Sequence, residues 1–497
     1  MNQFKKQIPP EIEKVSRVLT SAGFENYLVG GCVRDLLRKI VHGELVEPKD
    51  WDIATSATPD EIIELFPKTF YENEFGTVGV VIEKESGDFI VEVTPYRRES
   101  EYSDARHPDR VEWADSIEED LSRRDFTINA MALDLRPTTD NRQLIDPFGG
   151  KKDLEKKLIR TVGKPEERFR EDALRLLRAL RFSAELGFAI ELETQNAIEK
   201  NKELLGKISK ERIRDEFIKI VMSENPATAL DMAARIGILT YISEEFEKGI
   251  GVEQNQAHAY TVWEHLLRSL NHAVKKEYPL HVRLAALFHD IAKPHTKSLK
   301  NGEPTFYGHE VVGARIAKKV LEDLRFPKEI IDKVRKLVRW HMFFSDTEQI
   351  SLSAVRRMVR NVGTDLIWDL MNTRTADRIG TGRPKETPYR LRKYKSMIEE
   401  VLRDPISVKQ LVVNGEDVMK LTQTSGGPHV GFILEILLSE VLNDPKLNTK
   451  EYLEKRIQEL HKLTPAELTK QGSIARASNE GEEEKEIDKI REEYKVK

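Results

Sequence analysis

The sequence predicts a multidomain chain in which an α+β domain with a mixed sheet is followed by successive all-α regions. Three observations lead there. At 497 residues the chain exceeds what one hydrophobic core usually serves, and length alone suggests about three domains. Strand-like alternation and turn signals are confined to residues 1–150. From residue 151 onward apolar positions recur at helical spacing.

Taken in order, residues 1–26 carry an amphipathic helix on Ile12, Val15, Val18 and Leu19, closing near Gly23. An apolar run then meets Gly30-Gly31, which opens a short helical pattern carrying Arg34 and the lone cysteine, Cys32. His42–Pro48 reads as a surface-loop insertion. Asp50-Trp51-Asp52 leads into a β-leaning stretch; on a strand, side chains two apart share a face, so Asp50 and Asp52 are expected to point the same way. Phe75–Arg97 reads as two strands joined by a Gly-Asp turn. Helical spacing follows through Leu174, Leu177 and Leu180, then Ile213, Phe217 and Ile220, with breaks at Pro226 and Gly237. A second helical unit runs from near Gly251 past Asp377, and a third follows Pro405, where Gly426-Gly427-Pro428 marks a helix start. The expected domains are therefore 1–150, 151–250, 251–385 and 386–478, with a charged tail over 479–497.

The formal charge of −5 does not favour nucleic-acid binding by the whole surface, so any RNA contact must be local. Lys151, Lys152, Lys156, Lys157 and Arg160 form one basic cluster, and Arg390, Arg392, Lys393 and Lys395 another; each is either an RNA contact or a solvated helix face. A single cysteine excludes an intramolecular disulfide, and Cys32 reads as a small buried filler. No signal-like apolar region and no run of ~18 apolar residues is present, so a soluble, cytoplasmic chain without a membrane partner is expected.

Two groups of residues carry chemistry. Carboxylates at Asp50 and Asp52 suit a hard divalent cation such as Mg²⁺, which binds oxygen ligands together with substrate phosphates. The paired glycines let backbone N–H groups approach a triphosphate at a helix N-terminus. Either half alone is equally a turn or an acidic loop; in this order they read as a phosphoryl-transfer site. Further on stand His265, His289, Asp290, His309, His341 and Asp377. Imidazole and carboxylate donors suit Mn, Fe, Co or Ni, and six of them could hold two metals. A degenerate cluster retained for packing is the alternative.

The opening motif is followed in order by Leu121–Asp134, Leu144–Gly150 and Arg168–Phe182. This ordered set resembles the head of the bacterial tRNA CCA-adding enzyme and poly(A) polymerase family over residues 20–250, and H…HD…H…H…D resembles an HD-domain phosphohydrolase. The resemblance implies an α+β nucleotidyltransferase head, an all-α neck, an all-α HD domain and a helical C-terminal region. It implies Asp50 and Asp52 as catalytic metal ligands, with Gly31, Arg34 and Arg124 on the incoming triphosphate. Glu92 is a candidate third carboxylate, while Asp125 and Asn129 read as structural braces. Asp172 and Arg175, three apart on a helix, would be neighbours. In the resembled family such a pair accepts the amine-plus-ring-nitrogen edge shared by cytosine and adenine and rejects uracil and guanine. Arg178 and Arg181 match family nucleotide-binding positions, though a three-residue series drifts around a helix and carries Arg181 furthest away.

The implied partners are tRNA, CTP and ATP. FGTVGVVI after LFPKTF lacks the arginine-rich variant of poly(A) polymerases, and Tyr96–Trp113 is long and polar like the flexible loop that CC-only enzymes lack. Both favour complete CCA addition over a poly(A) polymerase or a partial adder. For the HD cluster the resemblance implies phosphatase, phosphodiesterase or cyclic-phosphodiesterase chemistry at RNA ends, with Lys293 on phosphate. A reading of another class makes the HD domain the main activity and the head an RNA- or nucleotide-binding module.

Overall fold

The computed structural model describes residues 4, 7–48, 50–71, 76–85, 87–100, 110–136, 142–254, 259–300, 303–343 and 350–476. The chain divides into two compact units, Met1–Glu247 with Asp323–Arg325, and Lys248–Glu322 with Phe326–Lys497.

In the first unit α1 (Pro10–Ser21) buries Ile12, Val15 and Leu19, and begins on a proline whose missing N–H is harmless in the first turn. Buried β1 (Asn26–Val29) passes through Gly30 into α2 (Gly31–His42), after which residues 43–48 form an irregular connection with Leu45 fully exposed. Then come β2 (Asp52–Thr55), α3 (Pro59–Leu65), β3 (Thr69–Tyr71), β4 (Val78–Ile82) and β5 (Phe89–Pro95). A Thr58–Glu61 capping box starts α3 by satisfying two backbone N–H groups reciprocally. β6 (Arg97–Ser100) and β7 (Arg110–Trp113) make a separate antiparallel ribbon. The expected long loop thus has paired flanks, and its centre, 101–109, lies outside the described residues, as does the 479–497 tail. α4 (Ile117–Ser122), β8 (Ala132–Asp134) and β9 (Leu144–Ile145) complete the α+β part.

The sheet is mixed, in the order β3-β4-β5-β2-β1-β8-β9, with β2 and β5 parallel and the other pairs antiparallel. Its register puts Asp52 opposite Val29 on one side and Glu92 on the other. Residues on adjacent strands in register share a face, so Asp52 and Glu92 lie side by side. The helical continuation comprises α5 (Gly150–Glu155), β10 (Leu158–Ile159), α6 (Pro165–Glu171), α7 (Leu174–Leu186), β11 (Ala189–Ile190), α8 (Leu192–Asn201), α9 (Lys210–Met222), α10 (Pro226–Arg235), α11 (Leu239–Ile242) and α12 (Glu244–Glu247).

The second unit is helical apart from a small hairpin. Its first part holds α13 (Val262–Lys275), α14 (Leu280–Phe288), α15 (Lys293–Thr296), the hairpin β12 (Ser298–Lys300) and β13 (Glu303–Thr305), α16 (His309–Asp323), α17 (Lys328–Trp340), α18 (Leu352–Val362) and α19 (Ile367–Gly380). Its second part holds α20 (Tyr389–Val401), α21 (Gly415–Thr422), α22 (Pro428–Asn443), α23 (Lys450–His461) and a helical stretch over 465–476. One core runs from Val282 and Leu337 through Leu370 and Tyr394 to Leu437 and Leu453, so the residues before and after 385 are packed together. No described helix is long and apolar enough to cross a membrane.

Candidate active site and metal centre

Three residues from separate segments meet at the turn between β1 and α2. Gly30 has φ 77° and ψ −136°, a conformation that side chains other than hydrogen strongly resist. A Cβ placed there would lie 3.1 Å from Arg124 Nη1 and 3.4 Å from Asp52 Oδ2. The helix N-terminus, a carboxylate and a guanidinium therefore converge on one point. Gly31 begins the helix, with Arg34 Nη2 3.7 Å from where its Cβ would be. Next to them, burial reinforced by the Asp52 charge pushes the Cys32 thiol up to about 12, so it is an inert filler as expected.

Asp50 departs from expectation. β2 begins at Asp52, and Asp50 sits in an exposed bend before it, separated by buried Trp51. The strand argument therefore does not cover Asp50; the neighbour that pairing supplies to Asp52 is Glu92 on β5.

The arginines are fixed by acids that sequence reasoning treated as scaffolding or missed. Arg124 donates to Asp120 Oδ2 at 3.0 Å, and Arg123 to Oδ1 at 2.7 Å. Burial would raise the Asp120 pKa, but the two guanidinium groups overcome it and hold the carboxyl at about 2. Arg34 is gripped by Asp35 and donates to Asn129 Oδ1 at 2.9 Å; Asn129 donates to Asp125 at 3.3 Å, and Asp125 accepts from Arg178 Nε at 2.7 Å. One polar chain thus links α2 to α7. Burial again opposes ionisation of Asp125, but Arg178 and Arg175 hold it at about 2. The Phe182 ring lies under the guanidinium groups of Arg34 and Arg178, at 5.5 and 5.4 Å from its centroid. The i,i+4 spacings of Asp120 and Arg124 and of Asp125 and Asn129 were readable signals; the links from Arg34 to Asn129 and from Asp125 to Arg178 have none, because those partners lie far apart in sequence.

The expected Asp172–Arg175 helix pair is corrected. α6 ends at Glu171, and Asp172 is extended at φ −139°, ψ 105°. Its carboxylate accepts from Leu174 N at 3.0 Å, starting α7, and from Arg212 Nη2 at 3.0 Å. Arg175 instead donates to Glu171 Oε2 at 2.6 Å and to the Arg123 carbonyl at 3.0 Å. A short carboxylate that bonds nearby backbone N–H groups competes with helix continuation, and here the chain leaves the helix at Asp172. Arg181 turns aside as the drift required: it is buried and donates to Glu216 at 3.0 Å, with Phe182 4.3 Å from its guanidinium carbon.

In the second unit all six expected ligands come together, each buried. His265, His289, Asp290 and Asp377 offer ligand atoms within 4.8 Å of one another, and Asp290, His309 and His341 form a second such group sharing Asp290. His265 lies on α13 and Asp377 on α19; His289 and Asp290 follow α14, His309 opens α16 and His341 follows α17. Asp290 bridges the groups: Oδ2 is 3.2 Å from His265 Nε2, and Oδ1 is 3.1 Å from His309 Nε2. The Nδ1 atoms of His289, His309 and His341 lie 2.9, 2.6 and 2.7 Å from the carbonyls of Ala286, Phe306 and Val338. Such bonds fix each ring so that Nε2 faces inward. Nε2 of His309 and of His341 is buried and faces Asp290 Oδ1, at 3.1 and 3.6 Å. Burial holds His341 down at about 4, with His289 and His309 adding to that, whereas Asp290 and Asp377 overcome burial to lift His289 to about 9. Lys293 donates to Gln254 at 2.5 Å and lies 2.6 Å from Asp290 Oδ2, so in this structure it braces the ligand carboxylate.

Comparison with known proteins identifies the family. Residues 26–160 match the poly A polymerase head domain, 187–250 the probable RNA and SrmB-binding site of polymerase A, and 257–374 the HD domain. The chain is 34% identical to a CCA-adding enzyme of Geobacillus thermodenitrificans over 445 residues, 88% of this chain and 93% of that one. It is 48% identical to a CCA-adding enzyme of Ligilactobacillus salivarius over 231 residues, 46% of this chain and 52% of that one. The crystal structure of a Bacillus stearothermophilus CCA-adding enzyme in complex with CTP aligns at TM-score 0.67 and 28% identity, covering 92% of this chain and 98% of that one. With a relative above 30% identity matched along nearly its whole length, and with a head and an HD domain both present, this chain belongs to the CCA-adding enzyme family.

Proposed function

We propose that this chain adds CCA to the 3′ end of tRNA from CTP and ATP without a nucleic-acid template. The observation that carries this reading is the meeting of Gly30, Asp52 and Arg124 at the β1–α2 turn, in a chain of which a CCA-adding enzyme matches 88%.

In the reaction the tRNA 3′-hydroxyl oxygen bonds to the α-phosphorus of the nucleotide, the bond to the bridging oxygen breaks, and pyrophosphate leaves. Asp52 and Glu92, with Asp50 upstream, offer oxygen donors only, which suits Mg²⁺. When bound there, the ion neutralises phosphate charge and eases loss of the hydroxyl proton. The chain's own share is positioning and charge: the α2 N-terminus at Gly31 and the cations Arg34 and Arg124 hold the triphosphate. Because Asp120, Asp35 and Asn129 already fix those guanidinium groups, little reorganisation is needed at the moment of reaction. Asp172 and Arg175 select the base, with Arg178 alongside. Here each selector is held by its own partner, Arg212 or Glu171, and an incoming cytosine or adenine edge replaces those bonds. Arg181 serves the packing of α7 against Glu216 of α9.

The cluster around Asp290 fits a divalent transition metal of the Mn, Fe, Co or Ni kind, and its reaction class is phosphoester hydrolysis at RNA ends. The domain division into head 1–150, neck 151–250, HD 251–385 and C-terminal region 386–478 belongs to the same proposal. Incorporation of labelled CMP into tRNA lacking CCA by the parent and by Asp52→Asn tests the transferase reading. At least a hundredfold loss in the variant is expected; undiminished incorporation overturns it.

A further inference from the structure

The sheet face that carries Asp52 also carries an aromatic ring with no role so far. Strand register sets Asp52 of β2 beside Glu92 of β5, Glu92 beside Gly79 of β4, and Gly79 beside Phe70 of β3. Residues in register on neighbouring strands share a face, so these four form one row across it. The Phe70 ring lies over Gly79, where a Cβ would fall 2.6 Å from Cε1 and 2.7 Å from Cε2. With strands about 4.8 Å apart, the ring stands roughly one strand from Glu92 and roughly 10 Å from Asp52. It remains 41% exposed. Ile90, two residues before Glu92 and so on the same face, is 51% exposed opposite half-buried Val81. The alternate residues Val91 and Val93 are buried on the other face. Phe70 and Ile90 thus make an apolar ledge beside the carboxylates, open to solvent.

The strand order gives this ledge a direction. β1, which passes into the Gly30–Gly31 turn, adjoins β2 on the side away from β5. The row therefore runs from Phe70 through Glu92 and Asp52 toward the turn that holds the triphosphate. In an in-line displacement the attacking and leaving oxygens lie on opposite sides of the phosphorus. With pyrophosphate leaving toward the turn, the tRNA hydroxyl has to arrive from the Phe70 side of Asp52.

We infer that the Phe70 ring is the platform on which the 3′-terminal base of the tRNA stacks while the hydroxyl of that nucleotide reaches Asp52 and Glu92. The span between ring and Asp52 leaves room for the sugar. Stacking suits this task because every base has a π-face, and the terminal base changes as addition proceeds. The inference rests on the transferase reading and adds a tRNA-positioning residue to it.

The test compares CMP addition to two transcripts, one ending before CCA and one identical except that its 3′-terminal nucleotide keeps sugar and hydroxyl but lacks the base. Both are given to the parent, to Phe70→Ala, Phe70→Leu and Phe70→Tyr, and to Tyr71→Ala, a control exposed on the other face of β3. On the intact transcript Phe70→Ala is expected to lose at least fivefold in kcat/KM for tRNA, with KM for CTP within twofold of the parent. Phe70→Tyr and Tyr71→Ala should match the parent. Removing the base should cost the parent the same factor and Phe70→Ala nothing further, because both deletions remove one contact. Phe70→Leu keeps an apolar chain over Gly79 without a π-face; it should show the same non-additivity, and it decides the matter if the alanine variant does not fold. Losses that multiply, or parental activity of the alanine or leucine variant on the intact transcript, overturn the inference. Failure of the transferase reading looks different, since the parent would then add nothing to either transcript.

Discussion

At the scale of single residues, the account rests on groups held in place by partners that do no chemistry. Gly30 adopts a backbone conformation other residues reach only at a cost of about 1–3 kcal/mol, and its missing Cβ leaves room for Arg124 and Asp52. Gly30→Ala is therefore expected to lower kcat/KM for nucleotide addition by about 10–100-fold while the protein stays folded. Steady-state kinetics beside a thermal melt check this, and wild-type kinetics would remove Gly30 from the site. Asp125 allows a pH prediction. Its folded pKa is depressed to about 2 from 3.8, so the stability it adds is present above about pH 4 and lost as pH falls toward 2. At neutral pH the contribution is about 2 kcal/mol. Asp125→Asn should lower stability in urea at pH 7 by at least that much, and the gap to the parent should narrow on acidification through that window. A gap independent of pH would contradict the ionised reading.

At the scale of elements, what was legible depended on whether a residue's role is local. The Gly30-Gly31 turn, the β4–β5 hairpin and the proline start of α22 were all readable, because each is written in consecutive residues. The Asp172–Arg175 pairing was misread. Arg175 has two acids within helical reach, at i−4 and i−3, and spacing alone cannot say that the chain leaves the helix at Asp172. Glu92 as neighbour of Asp52 depends on strand register, which only the folded sheet supplies. Gly380 offers a test at this scale. A Cβ on it would fall 2.1 Å from Ser269 Oγ and 3.0 Å from the His265 carbonyl, so α19 approaches α13 closely only because this residue is glycine. In an ordinary helix Gly→Ala stabilises by about 1 kcal/mol. Here Gly380→Ala should destabilise the second unit and reduce bound transition metal, read by calorimetry and elemental analysis. A more stable variant with full metal would refute the close-packing argument.

At the scale of the whole molecule, two compact units carry two different constellations, oxygen donors in the first and mixed imidazole and carboxylate donors in the second. That the six candidates His265, His289, Asp290, His309, His341 and Asp377 form one cluster was legible from their order, which resembles the HD pattern; the position of Asp290 between the two groups was not. Since each unit has its own core, removing the second site should spare the first. His289→Ala/Asp290→Ala is expected to lose its transition metal yet add nucleotides within twofold of the parent rate, and a collapse of addition would show that the sites are coupled. The most direct measurement of the central claim mixes the protein and Mg²⁺ with a tRNA transcript ending before CCA, supplies CTP and ATP separately and together, and resolves products at single-nucleotide length. Two additions with CTP alone and three with both, stopping at A, are predicted; a long ladder of A, or no extension at all, would contradict the account.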